Sequence, residues 1–249
     1  MMKSFLRAFL VFIMVSGLAL AGTMHVSAEA PGVIVIVGSD TTWTKADSPH
    51  NLTGPLLVSE GATLTIEAGA TVNINNYGIR VNGALRAIGS SVEKIHFNDS
   101  REIEFTQYSN GWNEQTGSGS IIENAILSSS TISSSVSLKL DNNILGGIHV
   151  GDSSIISNNG IGGSVAAGSS NVISNNSIGG DITAQNAVIS NNNITGYVSA
   201  EDSTISNNEI RNGITGISLI ITNNTVTTLV LLAHINMELL QLLSKGENL

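Results

Sequence analysis

The sequence predicts an all-β solenoid, a single-stranded parallel helix in which each copy of a short internal repeat makes one coil. Three observations predict it. The phrase Ile156-Ser157-Asn158-Asn159-Gly160-Ile161 returns at 173–178, 189–194, 205–210 and 221–226, with 140–145 as a looser copy. Within each unit the pattern has period two, as in Asp181-Ile182-Thr183-Ala184 and Tyr197-Val198-Ser199-Ala200. The third observation is compositional: 41% of the chain is hydrophobic but only 4% is aromatic, so the core is narrow and aliphatic.

The repeat comes first. The second asparagine of each copy falls at 143, 159, 176, 192, 208 and 224, in steps of 16 or 17 residues. Helix-pair repeats need about 33 residues or more, and leucine-rich repeats about 20–29. Alternation with period two places one set of side chains inside and the other outside. Val, Ile and Thr supply strands, and Gly, Asn and Ser supply turns. All three prolines lie at or before Pro55, so the repeats can commit every backbone N–H to a neighbour. Six or seven coils stacked at ~4.8 Å make a rod of about 30 Å. Ile173, Ile178, Ile182 and Ala184 point inward, and Tyr197 points out.

The asparagines need their own account. A buried amide is costly unless its donors and acceptor are met. Stacked on its copies, each donates to the asparagine on one side and accepts from that on the other. Asn143, Asn159, Asn176, Asn192, Asn208 and Asn224 are therefore expected to form a structural ladder at a turn. Asn124 reads as one earlier copy.

These Ile-Ser-Asn-Asn-x-Ile units resemble the right-handed parallel β-helix repeats of the pectate-lyase-like superfamily. Gly61-Ala62-Thr63-Leu64-Thr65-Ile66-Glu67-Ala68-Gly69-Ala70-Thr71-Val72 resembles the opening coil of exported proteins of that type. So do Val81–Gly89 and Lys94–Phe97. The similarity covers roughly residues 55–226. It implies right-handedness, and a carbohydrate-binding, sugar-cleaving or surface role. The coil length is shorter than in the enzymes and is similar to that of bactofilin-type polymers.

Along the chain, Lys3 and Arg7, an apolar run from Ala8 to Leu20 and a small-x-small site ending at Ala28 read as a secretory signal peptide over 1–28. Cutting there removes Lys3 and Arg7, leaving 8 basic against 19 acidic residues, a net charge of −11. Residues 31–119 are expected to form an N-terminal cap and wider coils. They include a strand at 33–37, an irregular lead-in around Trp43 and 49–55, and a polar excursion at 107–119 with Trp112 as a packing anchor. Regular coils fill 120–227. Over 228–249 the alternation is lost, and His234, Glu238, Gln241 and Lys245 form one polar stripe on an amphipathic helix expected to cap the open end.

The chain has no cysteine, which excludes disulfides and thiolate metal sites. Its acidity argues against nucleic acid as a partner. No metal ligand set and no cofactor motif emerges. His149 near Asp152, and Asp152 with Glu201 and Asp202, are weak polar groupings. Asp152, Asn186 and Asp202 fall near one column. Glu102 and Glu104, with Asp99 and Arg101, are the only charge cluster worth weighing as catalytic. Sequons stand at Asn51, Asn98, Asn175, Asn193 and Asn223, two of them in the ladder phrase. The expected function is that of a non-enzymatic exported scaffold or adhesion module at the cell surface or outside the cell. Its expected partner is a polysaccharide or other surface component, with no membrane span once the leader is cut. The alternatives are a polysaccharide lyase or glycoside hydrolase of the same superfamily, and a self-assembling bactofilin-like polymer.

Overall fold

The computed structural model describes residues 33–99, 101–127 and 130–228. The expected signal peptide and C-terminal helix fall outside them, save for Thr228. The described chain is a parallel β-helix. Three sheets of ten strands each pair in parallel throughout, and strands adjacent in a sheet come from successive turns of the chain. Each coil gives one strand to each sheet; one coil is Ile182–Gln185, Val188–Ser190 and Asn193–Ile194. Ten coils at ~4.8 Å make a rod of about 43 Å. The rod exceeds about 30 Å because that length covers the repeats alone, and the wider coils expected before them add to it.

The lead-in is one such coil and not irregular. Thr41–Trp43 and His50–Asn51 pair with Leu64–Ile66 and Val72–Asn73. Strands of two or three residues are too short to display alternation, which is why the sequence hides them. Trp43 stacks on His50 with ring centroids 5.0 Å apart.

Coil size changes along the rod. In the first sheet Val35, Leu56, Ile79 and Ile103 share a column at steps of 21, 23 and 24 residues. A step of 29 to Ile132 contains the excursion at 106–120. From there Ile148, Val165, Ile182, Val198 and Ile214 follow at 16 or 17. The wider coils hold the buried rings Phe97 and Phe105, while the narrow ones are filled by Ile, Val and Ala. Ile156, Ile173, Ile189 and Ile205 stack in register on the second sheet, each fully buried. Burying each such side chain contributes about 1.5–3 kcal/mol.

Two corners use left-handed backbone. Asn142, Asn158, Asn175, Asn191, Asn207 and Asn223 have φ between 53° and 58° at the corner after the second sheet. Ser153, Ser170, Asn186, Asp202 and Ser218 take the same conformation at the corner before it. Asparagine tolerates this region better than most residues, and serine stands there at some cost. At the third corner glycine meets a tight approach. A Cβ on Gly180 would overlap Ser164 Oγ and the backbone of Gly163, and one on Gly196 would overlap Gly180 O and Asp181 Oδ1.

Candidate functional site

The asparagine pair divides two tasks. The first asparagine turns the backbone and is exposed; the second is buried in the interior. Asn159 Oδ1 accepts the backbone N–H of Asn143 at 2.9 Å, and its Nδ2 donates to Leu140 O at 2.9 Å. Asn176, Asn192, Asn208 and Asn224 repeat both bonds on the coil before. Nδ2 of Asn159 also reaches Asn176 Oδ1 at 3.1 Å, and the next three members continue the amide chain. The ladder is thus a clamp of side chain on backbone as well as a stack of amides. It has no surface on which to bind a ligand.

Asn124 does not belong to it. Glu123 pairs with Asp141, which puts Asn124 opposite Asn142 at the left-handed corner. The ladder column there holds Ala125, whose N–H is accepted by Asn143 Oδ1 at 2.9 Å. Phe-sized coils and a longer repeat step shift the phrase by one residue, which the spacing alone could not reveal. The sequons at Asn175 and Asn223 are likewise outside the ladder, because both are exposed corner residues. A glycan at either would leave the stack intact.

Sequence reading missed a second, mixed ladder at the corner before the second sheet. Asn171 Oδ1 accepts the N–H of Ser154 at 2.8 Å, Ser154 Oγ accepts that of Leu138 at 3.0 Å, and Ser203 Oγ accepts that of Ala187 at 3.0 Å. The signal existed as Ser or Asn at 154, 171 and 203 in the repeat register. It was obscured by the many serines around it and by Leu138 and Ala187 in the same column.

Glu102 and Glu104 both point outward from the strand Glu102–Phe105, and residues two apart on a strand are about 6.6 Å apart. Glu104 lies opposite Arg80 on the preceding coil, with Arg80 Nε 3.6 Å from its carboxylate. Asp99 is a left-handed corner residue, and Arg101 is exposed on the approach to the strand. The surface is open, with no cleft wall over it from the named residues. Asp152 departs from the expected column: its Oδ1 accepts the N–H of Ser169 at 2.6 Å, and Ser169 leads to Gln185 and Glu201, while Asn186 and Asp202 share the next column. Asp152 and Glu201 are three coils apart, about 14 Å. His149 stands opposite Ser133 and Ala166 on the exposed face of the first sheet. Among the described residues, no three His, Asp or Glu side chains gather as a metal-binding group.

The outer faces carry the remaining chemistry. The first sheet shows Thr183 and Ser199 in one column, Gln185 and Glu201 in another, and the half-exposed ring of Tyr197, at 41% of its full accessibility, beside Asp181. The second sheet shows rows of Val or Ile, Ser and Asn. The rows start where the excursion meets the middle of the sheet: Trp112 bonds through its backbone to Ser137, and its ring lies 5.2 Å from Lys139 Nζ. Lys139 pairs in register with Ile155, so Trp112 stands where the uniform rows begin.

No protein-family model, curated protein or solved structure matches the chain.

Proposed function

We propose that the protein is an exported, non-enzymatic β-helix module that serves as a cell-surface or extracellular scaffold or adhesion element and binds glycans on its outer faces. The β-helix is read as right-handed and of the pectate-lyase-like type, on the strength of the Gly61–Val72 and Ile-Ser-Asn-Asn-x-Ile phrases. The observation that carries the reading is where the polar side chains sit. They form long columns on open sheet faces, which suits extended contact with a polymer better than chemistry at one bond.

The enzyme reading has one specific support. Glu102 and Glu104 project from the same face of one strand with their backbones about 6.6 Å apart, so their carboxylates are within reach of the ~6.5–9.5 Å separation of an inverting pair. Against it, a glutamate that donates a proton in such a pair sits in a shielded pocket, whereas Glu102 is exposed and Glu104 faces Arg80.

The test is incubation of the exported chain with acidic and neutral polysaccharides, with and without calcium, scoring retention and new chain ends. Retention without cleavage is expected. New chain ends that vanish in Glu102→Gln or Glu104→Gln would make the protein an enzyme. Neither retention nor cleavage would sink the glycan reading and leave a structural or assembly role.

A further inference from the structure

The outer face of the second sheet is unlike the other two. From Ile155 onward every coil presents three outward side chains of the same kinds there: β-branched, hydroxyl and amide. A branched row runs from Ile155 through Val188 to Ile220, a hydroxyl row from Ser157 through Ser190 to Thr222, and an amide row along the Asn158 corner. None of these side chains is charged, although the chain carries 19 acidic residues. At the same coils Glu201 stands on the first sheet, Asp181 and Asp202 at the corners on either side of it, and Glu209 on the third sheet. The branched row is aliphatic but for Thr204; Val188 at 45% and Ile220 at 62% are exposed, while Ile155 and Thr204 are half-buried. Identical repeats do not by themselves explain the uniformity, because the outward column of the third sheet varies through Gly160, Ser177, Asn193 and Glu209.

We infer that this face is a binding strip for a neutral linear polysaccharide lying along the rod axis; the inference rests on the glycan-binding reading above and names the polymer class and the face. Size argues against a second copy held by the strip alone. The strip measures about 19 Å by about 10 Å, so two copies would bury roughly 400 Å², well under the ~1,200 Å² of a stable interface. Charge selects the polymer. An acidic polysaccharide meets an acidic chain and no cation on the rows from Ile155 on, with Lys139 standing only at their N-terminal limit, so it is repelled. A basic polymer is drawn to the carboxylates on the other faces. A neutral sugar chain presents C–H ring faces to the aliphatic row and hydroxyls to Ser and Asn, which both donate and accept. Equivalent contacts recur on every coil, so affinity grows with chain length through multivalency. Trp112, beside Lys139 at the N-terminal limit of the rows, offers an aromatic surface for the sugar at that end.

The experiment uses the exported full chain in affinity electrophoresis through gels of neutral glucan, xylan or mannan and through polygalacturonate. It is paired with calorimetry on neutral oligosaccharides of increasing length. Retention by a neutral polymer is expected, with affinity rising about tenfold or more from short to long oligomers. The pair Val188→Lys and Ser190→Lys abolishes it, while Thr183→Lys on the first sheet does not. The triple change Ser174→Ala, Ser190→Ala, Ser206→Ala adds no bulk and serves if the lysine pair fails to fold; it weakens retention. Neutral-polymer retention untouched by folded strip variants, or retention by polygalacturonate alone, overturns this inference and leaves the glycan reading standing on another face. No retention by any polymer overturns both.

Discussion

The side-chain oxygen of Asn192 accepts the backbone N–H of Asn176, one coil earlier, at 2.9 Å. The Nδ2 of Asn192 donates at 2.9 Å to Ile173 O of that coil, and at 3.0 Å to Asn208 Oδ1 of the next. One buried side chain therefore satisfies groups on two neighbouring coils. Asn192→Ala leaves the Asn176 N–H and the Ile173 carbonyl buried without these partners, at about 1–3 kcal/mol each. Loss of roughly 3 kcal/mol in denaturant unfolding is the expected result. Asn191→Gly keeps the left-handed corner and removes only an exposed amide, so a change within about 0.5 kcal/mol is expected. Equal effects at the two positions would refute the division of tasks between the asparagines.

Ile189 lies between Ile173 and Ile205 in the stacked column and is fully buried. Ile189→Ala opens a cavity in a core one side chain wide, with an expected cost of about 2–5 kcal/mol. A solenoid coil touches only its neighbours, so the damage stays local. Hydrogen exchange should speed up first across 173–210 and last near Leu64 and Leu85. Uniform acceleration along the rod would show instead that the ten coils unfold as one unit.

The repeat made the narrow coils legible because Ile, Asn and Ile recur at fixed places in every unit. Tyr197 stands outside, as its size predicts, since an interior filled by Ile182, Ala184 and Val198 has no room for its ring. The excursion also showed itself, through Gly111, Gly117 and Gly119 without alternation. The first coil did not, because His50–Asn51 is too short to carry a period. Asn124 lies one position off the ladder for a related reason: once coil length departs from 16 or 17, spacing no longer fixes which of two adjacent positions points inward. The uniform outer rows of the second sheet were visible as letters but not as a surface. Only pairing in register turns Val172, Val188 and Thr204 into neighbours.

Gly196 sits at the third corner, where the backbone of one coil passes close over that of the last. An added Cβ there meets Gly180 O and Asp181 Oδ1. The carbonyl is backbone and cannot swing aside, so Gly196→Ala must push two coils apart. A loss of about 1–3 kcal/mol is expected in thermal or denaturant melts. Gly38 and Gly117 have open space at the same test position. Gly38→Ala is the fitting control, as Gly117 has φ of 63° and would be strained for a backbone reason. A Gly196→Ala variant as stable as that control would mean the corner is looser than its contacts indicate.

The last described coil, Gly213–Ile217, Ile220–Thr222 and Thr225–Val226, pairs on one side only among the described residues. Three parallel edges at the end of a rod offer a template for another chain. Residues 229–249 are rich in Leu, Ile, Val and Met and follow Thr228 directly. If they shield those edges as the sequence predicts, a chain ending at Thr228 must self-associate where the full chain does not. Sedimentation velocity over a concentration series tests this, with the full chain staying at one species and the shortened one forming larger ones. Solenoid ends are also where bactofilin-like polymers would join, so the same series separates the two alternatives. A full chain that polymerises before any truncation would favour assembly as the protein's role, and a shortened chain that stays monomeric would remove the cap.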